Sequence, residues 1–115
     1  MKNTFLVHNP RCRKSREALN YIKELNIDFE VVLYMKEGLE LNILKSIIIK
    51  IGIDPKDMVR IQEKTWKENY RSKHYNNDEI LEILNKHPNL IKRPIFINNN
   101  KGVIAIPYTE IDKII

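Results

Sequence analysis

The sequence has a single cysteine, Cys12, and that scarcity removes several classes at once. No disulfide framework can staple the chain, and no set of thiols with zinc-site spacing exists. Glycine occurs only at positions 38, 52 and 102, so no Gly-rich loop is available to cradle a phosphate. Long apolar runs are missing too. The longest, Val31-Val32-Leu33-Tyr34-Met35, falls far short of the roughly 20 residues of a membrane-spanning helix. Near the start, Phe5-Leu6-Val7 is broken by His8-Asn9-Pro10 and is too short for the core of a secretory leader. No internal repeat, low-complexity tract or Pro/Gly/Ser-rich linker interrupts the chain, and a single domain over residues 1–115 is expected. These absences point to a soluble, reduced, cytoplasmic protein with no membrane contact, and a monomer is the simplest expectation.

What is present is a chain of 115 residues with 43% hydrophobic content, enough to build a core. Twenty Lys and Arg against fifteen Asp and Glu give a formal net charge of +5. That balance is compatible with nucleic acid or with small anionic substrates and does not choose between them. A direct nucleic-acid role would rest on charge alone and ranks last.

Periodicity predicts the elements. Thr4 to Val7 reads as a short buried strand, followed by a helix from Lys14 to Leu25 whose Ala18, Ile22 and Leu25 share one face. Phe29 to Tyr34 reads as a second strand, and strand-helix-strand over this distance implies a parallel pair. Leu41, Leu44, Ile48 and Ile51 mark a helix that Gly52 can stop. Asp54-Pro55 then restarts the chain, with Asp54 as cap and Pro55 at the first helical position. A helix over Asn77–Lys86 carries capping-box spacing at Asn76 and Glu79. Ile95 to Ile97 suits a covered strand, and the turn-rich Asn98 to Gly102 predicts a hairpin returning over Val103 to Ile106. Thr109 is placed to cap a last short helix with Ile111, Ile114 and Ile115. The order is βαβ, a helical insert, then ββα.

Cys12 falls where strand one gives way to helix one. Backbone N–H groups and the helix dipole converge there, and Arg11, Arg13, Lys14 and Arg16 add positive charge. A lone cysteine is ordinarily a small buried hydrophobe, but this setting favours a thiolate. Ser15 makes a Cys-x-x-Ser spacing, open to two readings: a hydroxyl donor to the sulfur, or a plain helix cap. Ser15 cannot resolve a disulfide, so an oxidised Cys12 must be rescued by an external thiol. Trp66 and Tyr70, four apart, read as a partly buried helix face, His74 as a solvated side chain and His87 as a helix end.

His8-Asn9-Pro10-Arg11-Cys12-Arg13-Lys14-Ser15-Arg16 resembles the active-site signature of the ArsC family of arsenate reductases. The similarity continues through Met58-Val59-Arg60, His87-Pro88 and Leu90-Ile91-Lys92-Arg93-Pro94-Ile95, spanning nearly the whole chain. The resemblance implies an α/β, thioredoxin-like fold with a mixed central sheet and a helical insert, in accord with the element order. It implies that Cys12 is the nucleophile and that Arg60 and Arg93 hold the oxyanion. His8, Ser15 and Arg16 would support the thiolate, and Pro94 would be a cis-proline facing the cysteine, which an X-Pro bond permits. Taken singly, Arg60 and Arg93 would read as solvated surface arginines. Planar, permanently charged guanidinium forks nonetheless suit a tetrahedral dianion.

The implied activity is reduction of arsenate to arsenite, with glutathione as co-substrate and glutaredoxin as partner, and with no bound cofactor or metal. The family pattern has a third arginine before a late proline, where this chain has Ile106-Pro107. Losing one charge-assisted contact costs on the order of 1.5–3 kcal/mol of oxyanion stabilisation. Two alternatives follow: a glutathione-dependent thiol reductase with little arsenate activity, and an Spx-like regulator that binds RNA polymerase.

Overall fold

Four short strands form a mixed sheet in the order β2-β1-β3-β4. The computed structural model describes residues 1–115. The strands are β1 (Thr4–Val7), β2 (Glu30–Val32), β3 (Ile95–Asn98) and β4 (Lys101–Ile104). β1 lies parallel to β2, with Val7 opposite Val32, and antiparallel to β3, with Val7 opposite Ile95. β3 and β4 close an antiparallel hairpin in which Asn98 faces Lys101. The two central strands are apolar at successive positions because both faces of the sheet are covered. Phe5, Val7, Ile95 and Ile97 pack on one side, and Leu6 and Phe96 on the other. A strand's period of two assigns them so.

Five α-helices accompany the sheet: α1 (Arg13–Glu24), α2 (Tyr34–Glu37), α3 (Leu41–Ile51), α4 (Lys64–Asn69) and α5 (Asn77–Lys86). α1 lays Ala18 and Ile22 on the Leu6–Phe96 face, joined by Ile111 from a 3-10 helix over Tyr108–Ile114. The opposite face receives Leu44, Ile47 and Ile48 of α3 and Ile80, Ile83 and Leu84 of α5. α3 runs close over β4. A Cβ added to Gly102 would stand 2.6 Å from Ile97 Cδ1 and 3.0 Å from Ile51 Cγ1, so any larger residue there must push these side chains aside. The result is the α/β, thioredoxin-like architecture that the family resemblance implies, with a mixed sheet.

Several boundaries differ from the sequence expectation, each for a local reason. The second strand stops at Val32: past Val7 only the His8 N–H still pairs, with Val32 O, and the chain leaving β1 then turns away. Tyr34 therefore opens α2 and does not extend β2. Asn99 takes a left-handed φ of 58°, which lets a two-residue turn close the hairpin. β4 accordingly starts at Lys101, two residues before the expected Val103. Asp54 precedes a 3-10 turn, Pro55–Met58, with Pro55 first, yet its side chain makes no cap hydrogen bond. Thr109 caps nothing. Pro107 precedes the final 3-10 helix and Thr109 lies inside it. The capping box is present in full: Glu79 N–H donates to Asn76 Oδ1 at 2.8 Å and Asn76 N–H to Glu79 Oε1 at 2.9 Å.

Candidate active site

The antiparallel register brings the exit of β1, the entry of β3 and the exit of β4 to one edge of the sheet. The exit of β1 carries His8 to Cys12. His8 N–H donates to Val32 O at 2.9 Å, continuing the parallel pairing one residue past the strand. Cys12 N–H then donates to Asn9 O at 3.0 Å, and this turn sets Cys12 at the N-cap of α1. The entry of β3 carries Arg93 and Pro94, joined by a cis peptide bond. Ile106 and Pro107 are also joined in cis, and Ala105 N–H donates to Pro94 O at 2.9 Å, tying the exit of β4 to the same place.

Arg60 arrives from the insert. Val59 pairs with Ile91 in an isolated antiparallel bridge, flanked by Arg60 N–H to Leu90 O at 2.8 Å and Lys92 N–H to Met58 O at 2.9 Å. This short ribbon runs the Met58–Arg60 and Leu90–Lys92 segments side by side, so Arg60, Arg93 and Ile106 line one cavity. Arg60 is oriented by Glu63 Oε1 at 2.8 Å and by Asn89 O at 3.2 Å. Ile106 is 40% exposed, so an apolar side chain stands on the cavity where the family pattern puts a third cation.

Cys12 is partly exposed. Burial pushes its thiol pKa up, but the Ser15 backbone N–H, the Arg93 guanidinium as donor and as charge, and the Lys14 N–H pull it further down. The balance falls below the ordinary thiol range, which favours the thiolate as nucleophile. Ser15 acts on the sulfur through its backbone. Its hydroxyl is wholly buried and turned away, bonded to His8 Nδ1 at 2.7 Å and accepting from Asn9 N–H at 3.0 Å. Arg16 does not reach the sulfur either. Its guanidinium donates to Pro10 O at 2.9 Å and so clamps the loop that carries Cys12. His8 is buried, and burial, with the charges of Lys23 and Arg16, holds its imidazole below the usual range against an opposing hydrogen bond from Ser15. A neutral His8 is thus a brace for the loop through Ser15.

One neighbour of the site escaped the sequence reading. Tyr34 is fully buried and its hydroxyl has no hydrogen-bond partner in the protein. Burial raises its pKa, while the charges of Arg93 and Arg60 lower it and that of Cys12 raises it, so the phenol lies in the field of all three. The sequence placed it as the last residue of a strand. The available signal was its place just after the strand parallel to β1, past the point level with His8. Trp66, by contrast, stacks on Tyr70 with centroids 5.8 Å apart, and Tyr70 Oη meets His87 Nε2 at 2.7 Å. That packed cluster meets the end of α5 at His87.

Residues 7–114 match the family model described as the ArsC family. An arsenate reductase of Neisseria meningitidis is 35% identical over 112 residues, covering 96% of each chain. One of Haemophilus influenzae is 34% identical over 107 residues, 91% of this chain and 92% of that one. Among solved structures, an arsenate reductase from Vibrio cholerae superposes with a TM-score of 0.90. It is 27% identical and covers 99% of this chain and 100% of its own.

Proposed function

The chain belongs to the ArsC family, and on that footing we propose that it reduces arsenate to arsenite through Cys12, with small thiols supplying the electrons. The observation that carries this reading is the pair of guanidiniums, Arg60 and Arg93, lining one cavity, with Arg93 also drawing the Cys12 thiol pKa down. Two guanidinium forks offset the repulsion between a thiolate and an anionic substrate and hold it for attack. The thiolate attacks arsenic and displaces one oxygen as water, forming an S–As bond. A donor thiol then attacks the Cys12 sulfur. The S–As bond breaks with its electron pair going to arsenic, which leaves as arsenite, and a mixed disulfide remains. A second thiol, delivered by glutathione or a glutaredoxin, releases the Cys12 thiolate. With one cysteine in the chain, both electrons come from outside.

No helix of the chain is long and apolar enough to cross a membrane. The reading fits a monomer in a reducing compartment such as the cytoplasm, where the lone thiol stays free. Roles for His8, Ser15 and Arg16 follow the geometry: they fix the loop and its N–H groups, and Pro94 fixes the approach of Arg93. Ile106 favours a second reading on the same scaffold, a glutathione-dependent thiol reductase with little arsenate activity. The Spx-like reading is weaker, because Cys-x-x-Ser lacks the second thiol of a redox switch.

The deciding experiment follows NADPH consumption through glutathione reductase, glutathione and glutaredoxin with arsenate added, with Cys12→Ser as control. Arsenate-dependent turnover that vanishes in the variant supports the reductase. A folded protein whose Cys12 still reacts with a disulfide probe, yet shows no such turnover, rules out arsenate as substrate and leaves a thiol reductase or a binding protein on the same scaffold.

A further inference from the structure

The cavity that holds Arg60 and Arg93 is larger than its first reactant needs. It measures about 470 Å³, within the roughly 300–1,000 Å³ of sites that take up whole small organic molecules, and a tetrahedral oxyanion is far smaller. Beyond the two arginines its lining includes Lys56 and Lys92, neither of them in an ion pair, against the single carboxylate of Asp57. Its apolar surface comes from Ile61 and Ile106, exposed by 55% and 40%. Free ammonium groups flanking two exposed isoleucines are the complement of a molecule with carboxylates at its ends and an apolar or amide middle. The location matters as much as the chemistry, since Arg93, which lines this cavity, is also the guanidinium that draws the Cys12 thiol pKa down.

We propose that this cavity seats the electron donor, a small peptide thiol bearing carboxylates, with Lys56 and Lys92 holding the carboxylates and Ile61 and Ile106 its chain. The inference rests on the thiol-donor part of the reading above. It also accounts for Ile106, since where an arginine would grip the oxyanion, isoleucine offers an apolar wall to the second reactant. Asp57 meets the ammonium that such a peptide carries.

The test needs no arsenate. In it the Cys12 thiolate attacks one sulfur of glutathione disulfide, the S–S bond breaks, a glutathione thiolate leaves, and a mixed disulfide forms at Cys12. Its rate constant is divided by that for the uncharged 2-hydroxyethyl disulfide, which reports the intrinsic reactivity of the sulfur. Reversing both charges, Lys56→Glu with Lys92→Glu, lowers this ratio about tenfold at low ionic strength, and added salt narrows the difference. Reversing Lys50 and Lys101 leaves the ratio unchanged. Lys101 sits opposite Asn98, which pairs with Thr4, at the far end of the sheet from Cys12, and Lys50 lines a cavity with Phe5 and Met1. An unchanged ratio in the first variant, or an equal fall in the second, overturns the proposal. If the reversals disturb folding, Lys56→Gln with Lys92→Gln carries the same test with a fall of about threefold. A protein inert to arsenate that still shows the loss keeps this seat and discards arsenate as substrate. Arsenate turnover with no loss does the opposite.

Discussion

Arg93 sets the chemistry of Cys12 more than any other side chain does, and it acts twice, as donor and as charge. Cys12 is an acid whose pKa the fold lowers from the ordinary thiol value. The thiolate fraction therefore falls only once pH drops through that lowered value, and alkylation by iodoacetamide stays fast below the ordinary thiol range. In Arg93→Gln the midpoint of the rate–pH profile moves up toward a free thiol. A profile that does not move would assign the thiolate to the backbone N–H groups of Lys14 and Ser15 alone. Tyr34 offers a complementary prediction. An unpartnered buried hydroxyl costs about 1–3 kcal/mol in desolvation, so Tyr34→Phe, which keeps the ring, raises stability by roughly 1 kcal/mol in urea unfolding. A loss of stability would mean that the phenol is hydrogen-bonded in solution, with the Asn9 side chain, which acts to lower the phenol pKa, as the partner.

Elements were readable from the sequence where a repeating pattern met a strong end signal. α3 ends at Gly52, whose φ of 82° is left-handed, and α5 begins in a capping box, so both have the expected limits. α2 and the start of β4 were not readable, because tertiary pairing decides them: β2 stops when β1 turns away, and a two-residue turn advances β4. The contact of α3 with β4 is likewise invisible to pattern, since Gly102 reads only as turn chemistry. Overpacking predicts its importance. With Ile97 fully buried and Ile51 wedged at 3.0 Å, Gly102→Ala destabilises by about 1–3 kcal/mol, measured as a lower urea midpoint with an unchanged slope. A neutral outcome would show that α3 can lift from the sheet without cost.

At the scale of the molecule, the site comes from strand register, which no local spacing reveals. Cys12 alone was suggested by its neighbourhood. Arg60 and Arg93, read singly, are ordinary surface arginines, and only the resemblance marked them. The structure adds the physical link: Val7 faces Ile95, and Val59 bridges to Ile91. The same register has a consequence for the chain as it is made. About 80 residues separate Cys12 from Arg93, on the order of 4–16 s of synthesis at 5–20 residues per second. Through that interval the thiol has already emerged but lacks the Arg93 guanidinium, because β3 does not yet exist to pair with β1. An unfinished chain therefore carries a cysteine helped only by its own loop, and the full lowering of its pKa waits until the strand that follows Arg93 has been made and paired.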